Sequence, residues 1–198
     1  MSQYDFDIGS ILEHVPKRIQ SANEWNERLL CRCIAPGHTA ESVWLMMHAA
    51  SLLDDYGLYK QCLSVLKSTF RRAWDHEIGG LFRFIGTNGP VPVGTLLGIP
   101  YEQQIVDTWD MKLWWVHTEY LYASMLAAKW TGDEECTSMA EKIHAYTFSV
   151  FPNPDRSIGE WIQKRDRKGN PLDKVVALPV KDPYHATRDL LLLISLFG

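Results

Sequence analysis

Two pairs of amphipathic stretches, each split by a short polar turn, constrain this chain most. The first pair covers about residues 39–53 and 58–74, divided by Asp54-Asp55-Tyr56-Gly57. The second covers about 110–130 and 134–151, divided by Thr131-Gly132-Asp133 and stopped by Pro152-Asn153-Pro154. Val43, Met46, Met47 and Ala50 recur at helical spacing in the first stretch, and Cys62, Leu63, Leu66 and Phe70 lie along the second. Thr39, behind Pro36-Gly37, reads as an N-cap. A last helix begins at Pro183, a favoured first helical residue, behind a possible Asp182 cap. Helix pairs joined by short turns predict an all-α fold of α/α-hairpins, arranged as a solenoid or closed toroid. If 39–53, 110–130 and 183–197 are the inner helices of such a toroid, they run parallel and their N-termini share one mouth.

The segments between the pairs read as short β-hairpin-like insertions. Residues 78–84 alternate like a strand after a turn, 159–163 read as a strand, and Asp166 to Pro171 as a turn. Residues 86–106 carry several Gly and Pro and read as a long loop or hairpin of the kind that often serves a site. Ile8 to Glu13 reads as a short helix or strand, and Ser21 to Leu30 is polar with scattered apolar positions. The 198 residues suit a single domain over 1–198.

Composition narrows the function. Acids and bases are mixed along a chain of net charge −4, with no basic block for nucleic acid. The longest apolar run, Leu190 to Phe197, is too short to span a bilayer. Met1 to Asp5 has neither the basic nor the apolar region of a secretory signal. The four cysteines, Cys31, Cys33, Cys62 and Cys136, fit no zinc spacing and read as reduced structural thiols. A soluble, cytoplasmic protein is expected. Eight Trp residues suit a core, and equally a sugar site, where a flat indole packs against ring C–H groups.

Two histidines each open the first turn of a predicted helix: His38 in Pro36-Gly37-His38-Thr39-Ala40-Glu41, and His185 in Asp182-Pro183-Tyr184-His185-Ala186-Thr187-Arg188. Imidazole titrates near neutral pH, so it can take a proton and return it. Glu41 lies three residues after His38, on the same helix face, where it can orient the ring; the plainer reading is a capping-turn histidine with a solvated acid. Arg188 can reach a substrate oxygen or an acid such as Glu41. Trp114 and Trp115 point to different helix faces, so at least one belongs to the core. His117 reads first as a packed polar residue and second as a site residue. No phosphate loop, nucleophile elbow or His-Glu-x-x-His motif occurs, and neither a cofactor nor a required metal is expected.

An ordered set of segments resembles the N-acylglucosamine 2-epimerase family: residues 36–44, Trp74-Asp75 with Gly79-Gly80-Leu81-Phe82, residues 112–119, Thr131-Gly132-Asp133, Gly159-Glu160-Trp161 and residues 182–188. The resemblance implies an (α/α)6 barrel, of which this chain covers only about the C-terminal half. It implies proton transfer at C2 of an open-chain aldose such as N-acetylglucosamine, mannose or a disaccharide. His38 and His185 would be the acid/base pair and Glu41 the support of His38. Trp114, Trp115, His117 and Arg188 would line the sugar site. Six or so helices cannot close a twelve-helix toroid, so a homodimer or a complementing N-terminal half is expected. Two other functions fit the sequence: a glycoside hydrolase using carboxylates from Glu41, Glu119 and Glu160, and a non-catalytic carbohydrate- or protein-interaction module.

Overall fold

The computed structural model describes residues 4–5, 9–14, 27–174 and 183–198. Its elements run β1 (Tyr4–Asp5), β2 (Ser10–Ile11), β3 (Cys33–Ile34), α1 (Pro36–Leu52), α2 (Tyr56–Ala73), β4 (Ile85–Gly86), α3 (Pro100–Thr108), β5 (Lys112–Leu113), α4 (Trp114–Thr131), α5 (Glu134–Val150), β6 (Lys164–Arg165) and α6 (Tyr184–Phe197). The strands form three two-stranded antiparallel ribbons, β1–β2, β3–β4 and β5–β6.

The helices start where backbone chemistry dictates. Pro36 supplies the preset φ of a first helical residue, so α1 begins three residues ahead of Thr39. The Thr39 amide is already inside the helix, donating to the Ala35 carbonyl at 3.0 Å. Asp55 caps α2 by accepting from the Leu58 amide at 2.9 Å, and Asp133 caps α5 by accepting from the Cys136 amide at 2.9 Å. The proposed Asp182 cap lies outside the described residues, as do Ile8 and most of Ser21 to Leu30.

Three expectations need correction. The segment read as a loop contains α3, which starts at Pro100. Its Glu102 carboxylate gathers the amides of Leu97, Gly98 and Ile99, so the helix is set by this cap rather than by apolar periodicity. Residues 78–84 form no strand, because Gly79 and Gly80 both adopt positive φ (88° and 76°) and turn the chain. Gly159 to Gln163 likewise forms only an isolated bridge, Pro152 to Trp161, before β6.

Helix α2 packs on α1 and α5 on α4, while α4 also packs against α1 and α6. Helix α4 is therefore central and buried nearly all round, with Val116, Tyr120, Leu121, Ala123, Leu126 and Ala127 in the core. The three inner helices run parallel. His38 and His185, near the starts of α1 and α6, both contact Trp115 near the start of α4. At the far end, His48 of α1 contacts Trp130 of α4, and Lys129 of α4 reaches the Leu196 carbonyl of α6. No helix among the described residues is long and apolar enough to cross a membrane. All four cysteines are unpaired.

Behind the inner helices lies a buried ion cluster. The Asp75 carboxylate accepts from Lys112 Nζ at 3.2 Å and from Arg167 at 2.7 and 3.0 Å. Burial works to raise the Asp75 pKa, but the Arg167 hydrogen bonds and the Lys112 charge overcome it and hold the carboxyl below its ordinary range. Burial pulls Lys112, fully enclosed over the Phe82 ring, down to about 8 against the attraction of Asp75. A depressed carboxyl contributes stability above its unfolded value and loses it on acidification. Asp75→Asn should therefore strand a buried ammonium and cost about 3–5 kcal/mol, with the loss of stability at acid pH flattened. Urea unfolding across pH tests this, and a loss under about 1 kcal/mol would contradict the cluster's role.

Candidate functional site

The site is built at the shared N-terminal end of α1, α4 and α6. Trp115 of α4 contacts two imidazoles, its ring centroid 5.1 Å from that of His38 and 5.0 Å from that of His185. Gly37 makes this approach possible: a Cβ there would sit 2.2 Å from Trp115 Cζ3. Trp115 is half-buried, whereas its neighbour Trp114 is 8% exposed and belongs to the core. Trp114 lines a cavity of about 240 Å³ with Glu160, Trp161 and Gln163 and, around the start of α6 beside His185, Pro183, Ala186 and Thr187.

Each imidazole is held by a carboxylate. Nδ1 of His185 lies 2.6 Å from Glu119 Oε1, and Nδ1 of His38 lies 3.0 Å from both oxygens of Glu13. A carboxylate only accepts, which assigns the proton to Nδ1 and makes Nε2 the basic nitrogen of both rings. Glu119, fully buried, also accepts from the Trp44 indole at 2.7 Å through Oε2 and from Arg188 through Oε1. Arg188 donates a further bond to Glu41 at 3.0 Å and one to Asp189 at 3.2 Å.

These contacts revise three expected roles. The partner of His38 is Glu13, twenty-five residues away, and Glu41 instead binds Arg188. Arg188 spends its guanidinium on three carboxylates and so organises the site rather than presenting itself to a ligand. His117 is enclosed, with Nδ1 donating to the Leu113 carbonyl at 2.7 Å and Nε2 accepting from the Leu81 amide at 2.9 Å. Burial pulls its pKa down to about 3, so it is a neutral packing residue with no nitrogen for a ligand.

The three acids weighed for glycoside hydrolysis do not share one cleft. Glu41 and Glu119 are bridged by Arg188, and Glu160 lines the cavity beside Trp161. Glu41, Glu119 and His185 each bring a donor atom within 4.8 Å of the others. The cation already joining the two carboxylates is the Arg188 guanidinium.

The Glu13 hydrogen bond raises the His38 pKa; burial opposes it, and the charges of Glu13, Glu41 and Glu119 add to the rise. A raised histidine stabilises the fold fully below its unfolded value of 6.5 and loses that contribution as pH rises through the folded value. Glu13→Gln should bring the His38 titration back toward 6.5 and remove this pH dependence above it. An unchanged His38 NMR titration curve would refute the pairing.

A family model described as N-acylglucosamine 2-epimerase (GlcNAc 2-epimerase) matches residues 2–188. The N-acylglucosamine 2-epimerase of Mus musculus is 28% identical over 202 residues, a match covering 98% of this chain and 45% of that protein. Among solved structures, a sugar epimerase from a ruminal bacterium superimposes with a TM-score of 0.71 at 20% identity, covering 98% of this chain and 44% of that one. A D-mannose isomerase gives 0.65 at 18% identity, covering 82% and 37%. The fold is that of the (α/α)6-barrel epimerases, and the chain spans about 45% of the length of the mouse relative.

Proposed function

The chain belongs to the N-acylglucosamine 2-epimerase family, and from that premise we propose that its histidine mouth moves a proton at C2 of an open-chain aldose. The observation that carries the reading is the convergence of His38 and His185 on one indole, each with a carboxylate on Nδ1. One ring, neutral at Nε2, takes the C2 proton and keeps it, while the other, starting as the imidazolium, gives its own Nε2 proton to the opposite face, which inverts the carbon, gives an epimer and leaves the two protonation states exchanged. If a single base acts and the proton goes to C1 through an enediol, the carbonyl moves to C2 and the product is a ketose. The N-terminal ends of α1, α4 and α6 surround the mouth, and their dipoles stabilise the enolate oxygen as it gains charge. Trp115 supplies the flat surface for the sugar. Glu13 and Glu119 fix the two rings, and Glu41 acts through Arg188.

The substrate is an aldose such as N-acetylglucosamine or N-acetylmannosamine, mannose, or a disaccharide. Four unpaired cysteines suit a reducing, cytoplasmic setting. Incubating the protein with these sugars in deuterated water tests the reading. Deuterium should enter C2, and His38→Ala or His185→Ala should slow its entry by about 10²-fold or more. No C2 exchange with any of the aldoses would overturn it.

Closure of the ring is part of the same proposal. The three inner helices end on apolar edges: Leu45, Met46 and Leu52 of α1 are 51%, 41% and 86% exposed, and Leu191, Ile194 and Phe197 of α6 are 58%, 68% and 60% exposed. A second copy brings three more inner helices, the number a six-fold ring lacks; a polypeptide carrying the complementary half would fill the same place. Sedimentation should give a dimer that Leu191→Lys with Ile194→Lys dissociates. A strictly monomeric wild-type chain would exclude the second copy.

A further inference from the structure

The Arg188 guanidinium has a third acid behind it. Asp189 is fully buried, and its Oδ1 accepts from Arg188 Nε at 3.2 Å. Its Oδ2 is buried and accepts no hydrogen bond among the described residues, while the Thr118 hydroxyl, a neighbour of the Asp189 carboxyl, donates to the Trp115 carbonyl at 3.2 Å. Arg188 is thus held on three sides: Glu41 on Nη1, Glu119 on Nη2 and Asp189 on Nε. Glu119 Oε1 is also the atom that binds His185 Nδ1. One guanidinium serves three carboxylates, so the cluster carries excess negative charge beside an imidazole.

We propose that Asp189 is a positioning residue for His185: it locks Arg188 from the Nε side and, by taking up or losing a proton, sets the charge that His185 meets through Glu119. The inference rests on the reading of His185 as a proton-transfer group. The groups facing Asp189 are Arg188 and, one turn back, His185 on α6; Glu119 and Tyr122 on α4; and Glu41 on α1 through Arg188, with His48 behind Tyr122 at 2.7 Å. Only one of these, Arg188, is a permanent cation. Burial, followed by the charge of Glu119, raises Asp189 to about 7, against the pull of Thr118 and Arg188. The neutral acid prevails below that pH and the carboxylate above it, so the field at His185 changes within the working range of an imidazole. An ionised Asp189 favours the imidazolium of His185, and a neutral one favours its basic form.

NMR on the folded chain, labelled with 13C at histidine and aspartate, tests this without a substrate. In the wild type the Asp189 carboxyl should titrate near 7. In Asp189→Asn, which keeps the acceptor for Arg188 Nε but cannot ionise, the His185 titration should fall by roughly half a unit to one unit. His38, held by Glu13, should not move. An Asp189 that titrates in the ordinary carboxylate range near 4 overturns the proposal, and this wild-type measurement needs no variant to fold. A folded Asp189→Asn with an unmoved His185 overturns it as well. Failure of the function itself appears elsewhere, as an absence of C2 exchange while His185 still responds to Asp189.

Discussion

A single buried carboxylate joins the three inner helices. Glu119 on α4 takes the Trp44 indole from α1 on one oxygen and His185 and Arg188 from α6 on the other. Apolar burial gives most of the driving force for packing these helices, but it has no direction. The hydrogen bonds to Glu119 do have direction, so they fix the relative rotation and height of α1, α4 and α6 at their N-terminal ends. A buried carboxylate without partners costs several kcal/mol, so slippage of either neighbour leaves a charge stranded in the core. The imidazole of His185 is placed by the same bonds that set the helix register, which ties the geometry of the candidate site to the fold itself.

The chain contains a second buried acid with a different balance. Asp75 has two cations, Lys112 and Arg167, and its surroundings are closed off by Phe82 and Gly80. With Glu77, which accepts from Arg167 at 2.7 Å, that cluster sets two acids against two cations, and it joins the α2–β4 connection to β5 and to the turn after β6, a task that needs no change of protonation. The cluster around Arg188 has three acids to one permanent cation and opens onto the mouth where His185 is 19% exposed in its side chain. The proposed proton transfer thus sits beside a surplus of acid, whereas the Asp75 cluster behind it sets each acid against a cation.

The sequence made the helices legible where local chemistry fixes them. Asp133 and Pro183 mark helix starts by capping or preset φ, and Gly132 marks an end. The pairing of Arg188 with Glu41 was open to view as a possibility, because both sit one turn after a candidate histidine. Other parts were hidden for physical reasons. Glu13 and His38 are twenty-five residues apart, and no periodicity links them. Helix α3 shows few apolar positions and depends on Glu102 gathering three amides. His117 shares its composition with a site residue, and only burial on both ring nitrogens shows it to be packing. Glu119 stood two residues after the Trp-Trp-Val-His run, yet its partners come from helices 75 and 66 residues away.

The placement of the two histidines separates chemistry from enclosure. They lie on α1 and α6, the outermost inner helices of the set, yet both rest on Trp115 of the middle helix. Their carboxylate partners, Glu13 and Glu119, also belong to this chain, so the proposed proton-transfer pair needs nothing from beyond it to be oriented. The walls are a different matter. Among the described residues no outer helix packs on α6 in the way α2 backs α1 and α5 backs α4, and the apolar edges of α1 and α6 are exposed. Water at an open mouth weakens each electrostatic interaction that would stabilise an enolate, because the local dielectric rises. Ring closure would therefore act on the strength of the site far more than on its geometry.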